Sequence, residues 1–194
     1  MAALLIGVNP FNQPDVERSK QLLREKLSKK TDTSSRYIHS IDACKFKSEK
    51  SFGSLVNEIQ ASKAGTDYVA LLVYCRTHAE IERLMQKLVD LMSKIIGRTV
   101  VYSYGPQYLH STGQFHKGGW GTGRFVVIGS QQENDLPVSQ RDYTFMQLFN
   151  TQAAADADTL IELEKQVDLL WLKSPIRSSL EWMIEQLQNC RRSV

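Results

Sequence analysis

Residues 68–75 read YVALLVYC, eight apolar or aromatic residues with no polar position among them. A strand with one wet face alternates apolar and polar residues. A strand covered on both faces does not, and that is the pattern of a parallel sheet with helices above and below. Outward from this run the next segment is helical. Ile81, Leu84, Met85, Leu88, Leu91, Met92 and Ile95 recur at three- and four-residue spacing. Thr77 and Glu80 have the spacing of a capping box before it, and Gly97 is placed to end it. The methionines read as core filler.

The same alternation continues in both directions. Residues 99–103 and 124–129 predict two further strands, with a short helix and a Gly-rich loop between them. Residues 143–149 and 157–165 predict two helices, and VDLLWL at 167–172 another strand. Pro175 opens a final amphipathic helix carrying Leu180, Met183, Ile184 and Leu187. Upstream, residues 15–29 predict a helix with Val16, Leu23 and Leu27 on one stripe. A polar stretch at 29–50 follows, with a short strand at 37–41, and then a helix at 54–62 with Leu55 and Ile59 inward. Helices alternating with buried strands predict an α/β, Rossmann-like three-layer sandwich with a largely parallel sheet. At 194 residues the chain is expected to form a single α/β domain over 1–194.

Composition excludes several classes. A net charge of +3, with basic residues scattered rather than striped, argues against a nucleic-acid partner. The start, MAALLIGV, has no basic flank and is too short for a signal peptide or a membrane span. No membrane partner is expected. Those residues are expected to pack in a core or against another protein. Cys44, Cys75 and Cys190 are odd in number and far apart, which predicts reduced thiols and a cytoplasmic protein. His110 and His116 fall on different faces of a helix, and His39 and His78 lie near no second histidine. No metal or other cofactor is therefore expected.

Two stretches could carry chemistry. Asn9 to Lys20 reads NPFNQPDVERSK, a turn, a helix start with Pro14 in its first turn, and then Lys20. A long cation near a helix start could meet an anionic sugar. The plain alternative is a solvated helix lysine. The second stretch is His110, Ser111, Thr112, Gln114, His116 and Lys117, beside Gly118, Gly119, Gly121 and Gly123. Hydroxyls, imidazole and ammonium suit phosphate or sugar hydroxyls, and glycines allow close backbone approach. A tight structural turn with polar decoration is the other reading. The spacing is not that of a P-loop.

The spelling of these stretches adds a resemblance. F-N-Q-x-x-V-E-x-x-K, at 11–20, resembles the C-terminal signature of glucose-6-phosphate isomerases (phosphoglucose isomerases). YGPQYLHSTGQFHKGG at 104–119 and DLPVSQRDYTF at 135–145 are similar to segments of the isomerase half of transaldolase/glucose-6-phosphate isomerase fusion proteins. Asp15 departs from the small residue usual there, and Gln107, Phe115 and Trp120 are local variations. The resemblance covers roughly residues 5–173 and leaves the helix at 174–194 without a counterpart. It implies an SIS-like fold and a role in aldose–ketose isomerisation of a sugar phosphate. Lys20 would be the ring-opening catalytic lysine. Gln13, His110, Ser111, Thr112, Gln114, His116 and Lys117 would bind substrate. The family's proton-abstracting glutamate and phosphate-holding loop lie upstream of the lysine motif and have no counterpart in this sequence. The chain would then be the last third of an isomerase, inactive alone. A partner polypeptide would supply the upstream domain, or the chain would form a homo-oligomer. A non-catalytic partner or regulatory subunit that keeps the fold is the alternative. Lys20 and the 110–117 segment are expected to open onto one shared anion site.

Overall fold

The computed structural model describes residues 12–29, 39–41, 52–62, 66–119, 123–130, 135–172 and 175–190. In chain order they form α1 (Pro14–Ser28), β1 (His39–Ile41), α2 (Phe52–Ala61), β2 (Tyr68–Tyr74), α3 (Ala79–Ile96) and β3 (Thr99–Tyr104). A 3-10 helix (Gln107–His110) follows, then α4 (Gly113–Gly118), β4 (Gly123–Ser130), α5 (Phe145–Glu162), β5 (Gln166–Leu172) and α6 (Ile176–Cys190). The expected apolar start at 1–8 lies outside the described residues, as do 37 and 38 of the expected first strand.

The five strands form one sheet in the order β1-β5-β4-β2-β3, and every pairing is parallel. The apolar run at the centre of the sequence is therefore the second strand from one edge, hydrogen-bonded on both sides. Its side chains alternate between two separate cores. Val69, Leu71 and Val73 join α2, α3 and α6 on one face. Ala70, Leu72 and Tyr74 join α5 and the 3-10 helix on the other. Both faces are dry, so no polar residue interrupts the run. The expected inward residues of α3 and α6 occupy the first core: Ile81, Met85, Leu88 and Met92 are buried, as are Leu180, Met183, Ile184 and Leu187. The last helix is thus part of the main core rather than an appendage.

The second face is layered twice. α5 lies directly on the sheet through Ala153, Ala157 and Leu160. α1 packs on the far side of α5 and touches α4. Being covered on both sides, α5 has no broad apolar stripe, and Asn150, Thr151, Asp156 and Thr159 are buried along with its alanines. This corrects the expectation of two helices at 143–149 and 157–165. One helix runs unbroken through Phe145–Glu162, because alanine is the strongest helix former and needs no stripe to persist. It starts at a capping box, with Thr144 Oγ accepting from Gln147 N (3.2 Å) and Gln147 Oε1 accepting from Thr144 N (2.9 Å).

The capping box expected from Thr77 and Glu80 does not form. α3 begins at Ala79 behind His78, with no side-chain cap, and Glu80 instead pairs with Arg177 of α6 at 3.0 Å. Gly97 ends α3 as expected. It takes the left-handed conformation at φ 71°, and its N–H bonds Ser93 O at 2.9 Å. From β2 the chain steps to β3, and from β4 it steps the opposite way to β5. The strand order therefore reverses between β2 and β4, and crevices that take ligands in open parallel sheets lie at the carboxyl ends of strands near such a point.

Candidate functional site

The 110–117 segment is seated by a glycine. Beyond β3 the chain crosses the ring of Tyr74 at Gly105, where a Cβ would fall inside van der Waals contact with that ring. Only glycine allows this approach, and it lets Gly105 N bond Val73 O at 3.0 Å. The 3-10 helix then drops Tyr108 into the second core. α4 makes little more than one turn, so its successive side chains point to very different places. Phe115 is exposed, while His116 and Lys117 are buried.

Lys117 points under α1. Its Nζ lies 2.5 Å from Asp156 Oδ1 of α5 and donates to Ser19 Oγ of α1 at 2.7 Å. Ser19 in turn lies 2.9 Å from Thr159 Oγ1 and 3.3 Å from Asp156 Oδ1, and Tyr74 Oη donates to Asp156 Oδ2 at 3.1 Å. Both charged side chains are sealed from solvent. Burial pushes the Lys117 ammonium down to about 8 and the Asp156 carboxyl up to about 7. The two groups face each other as a buried pair, and their mutual attraction offsets part of the cost of burial. The cluster joins β2, α1, α4 and α5 in one polar knot. Around it Arg18 pairs with Glu162 at 2.8 Å, Lys26 with Asp158 at 2.6 Å, and Gln114 Nε2 donates to Asp15 Oδ2 at 2.7 Å. Through Lys117 and Ser19 the knot docks α1 on α4 and α5.

His116 packs in an aromatic cage. Its Nδ1 lies 2.8 Å from Tyr68 Oη, and Phe125 and Tyr108 face its ring at centroid distances of 5.6 and 6.0 Å. Burial first, and the neighbouring Lys117 charge second, hold its pKa below the usual 6.5. The folded state therefore favours neutral imidazole, while the unfolded chain takes up the proton more readily. The His116 contribution to stability is present above pH 6.5 and is lost as pH falls through the depressed folded value. Urea unfolding of wild type should show stability declining on acidification from pH 6.5 down to the folded-state value, where the decline levels off. His116→Gln should flatten the decline, and an unchanged pH profile in that variant would remove His116 as its source.

The expected site residues fall into three groups. Lys20 stands partly exposed on α1 and pairs with Glu17 at 2.7 Å, while Gln13 is exposed at the N-cap of that helix without a side-chain capping bond. Gln114, His116 and Lys117 are structural partners in the contacts above. His110, Ser111 and Thr112 are exposed, and Ser111 Oγ donates to Tyr108 O at 3.2 Å. His110 and Ser111 line an open cleft of about 410 Å³ with Ser103, Tyr104, Gln107 and Tyr108. The start of α1 and the 110–117 segment do meet, as Asp15 to Gln114. Ser19 takes the inward position, however, and Lys20 turns outward. Asp156, Ser19, Tyr74 and Thr159 were missed in the sequence. The one trace of their role is Asp156 and Thr159, polar residues one helical turn apart within the alanine-rich stretch 153–160. Among the described residues no group of three His, Cys, Asp or Glu side chains could hold a metal, and no helix is long and apolar enough to cross a membrane.

No family model matches this chain, and no curated protein does. Among solved structures the chain is similar to a hypothetical protein, TT0462, from Thermus thermophilus, with a TM-score of 0.56 and 17% identity over 69% of this chain. That match spans 36% of the other protein's length. At this identity the likeness concerns the fold alone.

Proposed function

We propose that this chain is an SIS-like C-terminal portion or subunit of a glucose-6-phosphate isomerase of the transaldolase-fusion type, acting in the cytoplasm. It contributes Lys20 to a composite sugar-phosphate site. The base that moves the proton and the anchor that holds the phosphate come from another polypeptide segment. The observation that carries this reading is the position of Lys20. It lies in the second turn of the outermost helix and points to solvent beside Glu17, while its neighbour Ser19 holds that helix to the core. A lysine so held is available to a ligand bound between α1 and a domain docked on it.

A coupled isomerase assay tests the reading. The purified chain alone should not turn over glucose 6-phosphate. Adding an isomerase segment that carries the glutamate and phosphate loop should restore turnover, and Lys20→Ala should then lower kcat by about 10²-fold or more. Robust turnover by the chain alone, or full activity of the Lys20→Ala mixture, would refute it. The second reading, a non-catalytic partner or regulatory subunit, draws support from Lys117. Its ammonium is buried against Asp156. Association with the upstream segment without any turnover would favour that reading.

A further inference from the structure

β3 lies at an edge of the sheet, paired with β2 in the register Val69 to Val100 through Val73 to Tyr104. Gly105 N turns inward to Val73 O, whereas Val100 N turns outward and donates to Ser93 Oγ of α3 at 3.2 Å. Backbone groups alternate along a strand, so those of Val100, Tyr102 and Tyr104 all point off the edge. Ser93 caps the Val100 N–H. The N–H and C=O of Tyr102 and Tyr104 have no partner among the described residues. Edge strands are usually blunted by charge, proline or a bulge. TVVYSY, at 99–104, has no charge and no proline, and its register with β2 is unbroken.

The two faces of this edge differ. Tyr102 and Tyr104 pack against the first core, and both hydroxyls donate to Glu82 of α3. Val101 and Ser103 therefore face the other side, where Val101 is exposed and Ser103 borders the open cleft. A second copy laid antiparallel on β3, with a two-fold axis at Ser103, matches all of these features. Tyr102 then stands opposite the partner's Tyr104, and each such pair exchanges two hydrogen bonds. The next pair along, Val100 against the partner's Pro106, cannot form, because one N–H is already capped and proline has none. The ladder thus ends where the free groups end. An axis at Tyr102 would instead set the capped Val100 against the partner's Tyr104 and leave that carbonyl without a donor. In the Ser103 register Val101 falls opposite the partner's Gly105, beside the partner's cleft, and so gains cover. The edge is complementary to itself, which is the requirement of a two-fold contact.

We propose that this chain self-associates through β3, edge to edge about a two-fold axis at Ser103, so that one sheet runs continuously through both copies. The inference goes beyond the isomerase reading, since it requires neither Lys20 nor a sugar phosphate. Sedimentation velocity of the full chain should show a monomer–dimer equilibrium in the micromolar range. Hydrogen exchange needs no variant. The amides of Tyr102 and Tyr104 should gain protection as protein concentration rises, while that of Ser103, which turns to β2, should not change. Ser103 meets its own copy across the axis. Ser103→Lys and Ser103→Asp, each checked for wild-type circular dichroism, should therefore weaken dimerisation by about tenfold or more, through like charges set face to face. An equimolar mixture of the two should recover association as a heterodimer. A chain that stays monomeric up to about 500 μM, far above the expected range, overturns the inference. So does a dimer indifferent to both Ser103 charges, the result that association through a different surface would give. A mixture no tighter than either variant alone would equally overturn it.

Discussion

Asp156→Ala is expected to lower the unfolding free energy by about 3–5 kcal/mol, the usual result of removing one partner from a buried ion pair. The substitution leaves the Lys117 ammonium sealed from water beside the Ser19 hydroxyl, with the Asp15 carboxylate as the further charge acting on it. It also removes the acceptor of the Tyr74 Oη hydrogen bond. The loss comes mainly from an uncompensated charge rather than from the attraction forgone. A second variant separates the two. Replacing both partners by apolar residues of similar size, Lys117→Met with Asp156→Leu, should recover most of the stability, because no buried charge then remains. Urea unfolding of the single and double variants, with Lys20→Ala as a surface control within about 0.5 kcal/mol of wild type, measures this directly. A loss below about 1 kcal/mol in Asp156→Ala would mean that the pair is open to water and that α1 is docked by other contacts.

Phe125→Ala should cost about 3–5 kcal/mol for a different reason, the cavity left by a large side chain in a packed core. Phe125 is fully buried at the centre of the sheet. Its ring meets Tyr68 at 6.1 Å and His116 at 5.6 Å, both near-perpendicular. The cavity would therefore open directly beneath α4. Hydrogen exchange should show the α4 amides losing protection more than those of α3, which rests on the other core. Phe125→Leu keeps most of the volume and should cost far less. Equal loss in the Leu and Ala variants would show that ring geometry, rather than cavity volume, governs the site.

These two results concern a cluster that no motif marked. The resemblance to sugar-phosphate isomerases drew attention to Lys20 and to 110–117, and those segments do lie against each other. What joins them is the residue beside the marked lysine. Ser19 and Lys20 differ by about 100° around the α1 axis, so one faces α5 and the other faces water. A linear motif names neither direction. Lys117 illustrates the same point. In sequence it is a cation next to glycines, the usual dress of a phosphate loop. In the fold it is buried because Asp156 approaches it from a helix about 40 residues further on.

The fold class was legible in the sequence because burial leaves a periodic record along the chain. A strand with two dry faces must be apolar at every position, as at 68–74, and a helix on one face of a sheet must repeat its apolar residues every three to four positions, as α3 and α6 do. α5 escaped that reading because it is covered on two sides, by the sheet through its alanines and by α1 through Asp156 and Thr159. A helix with two buried faces has no single stripe to detect. The order of the strands, the outward turn of Lys20 and the pairing of Lys117 with Asp156 belong to the tertiary structure alone. They depend on contacts between residues far apart in the chain, and spacing along a sequence carries no record of which distant residue will supply the partner.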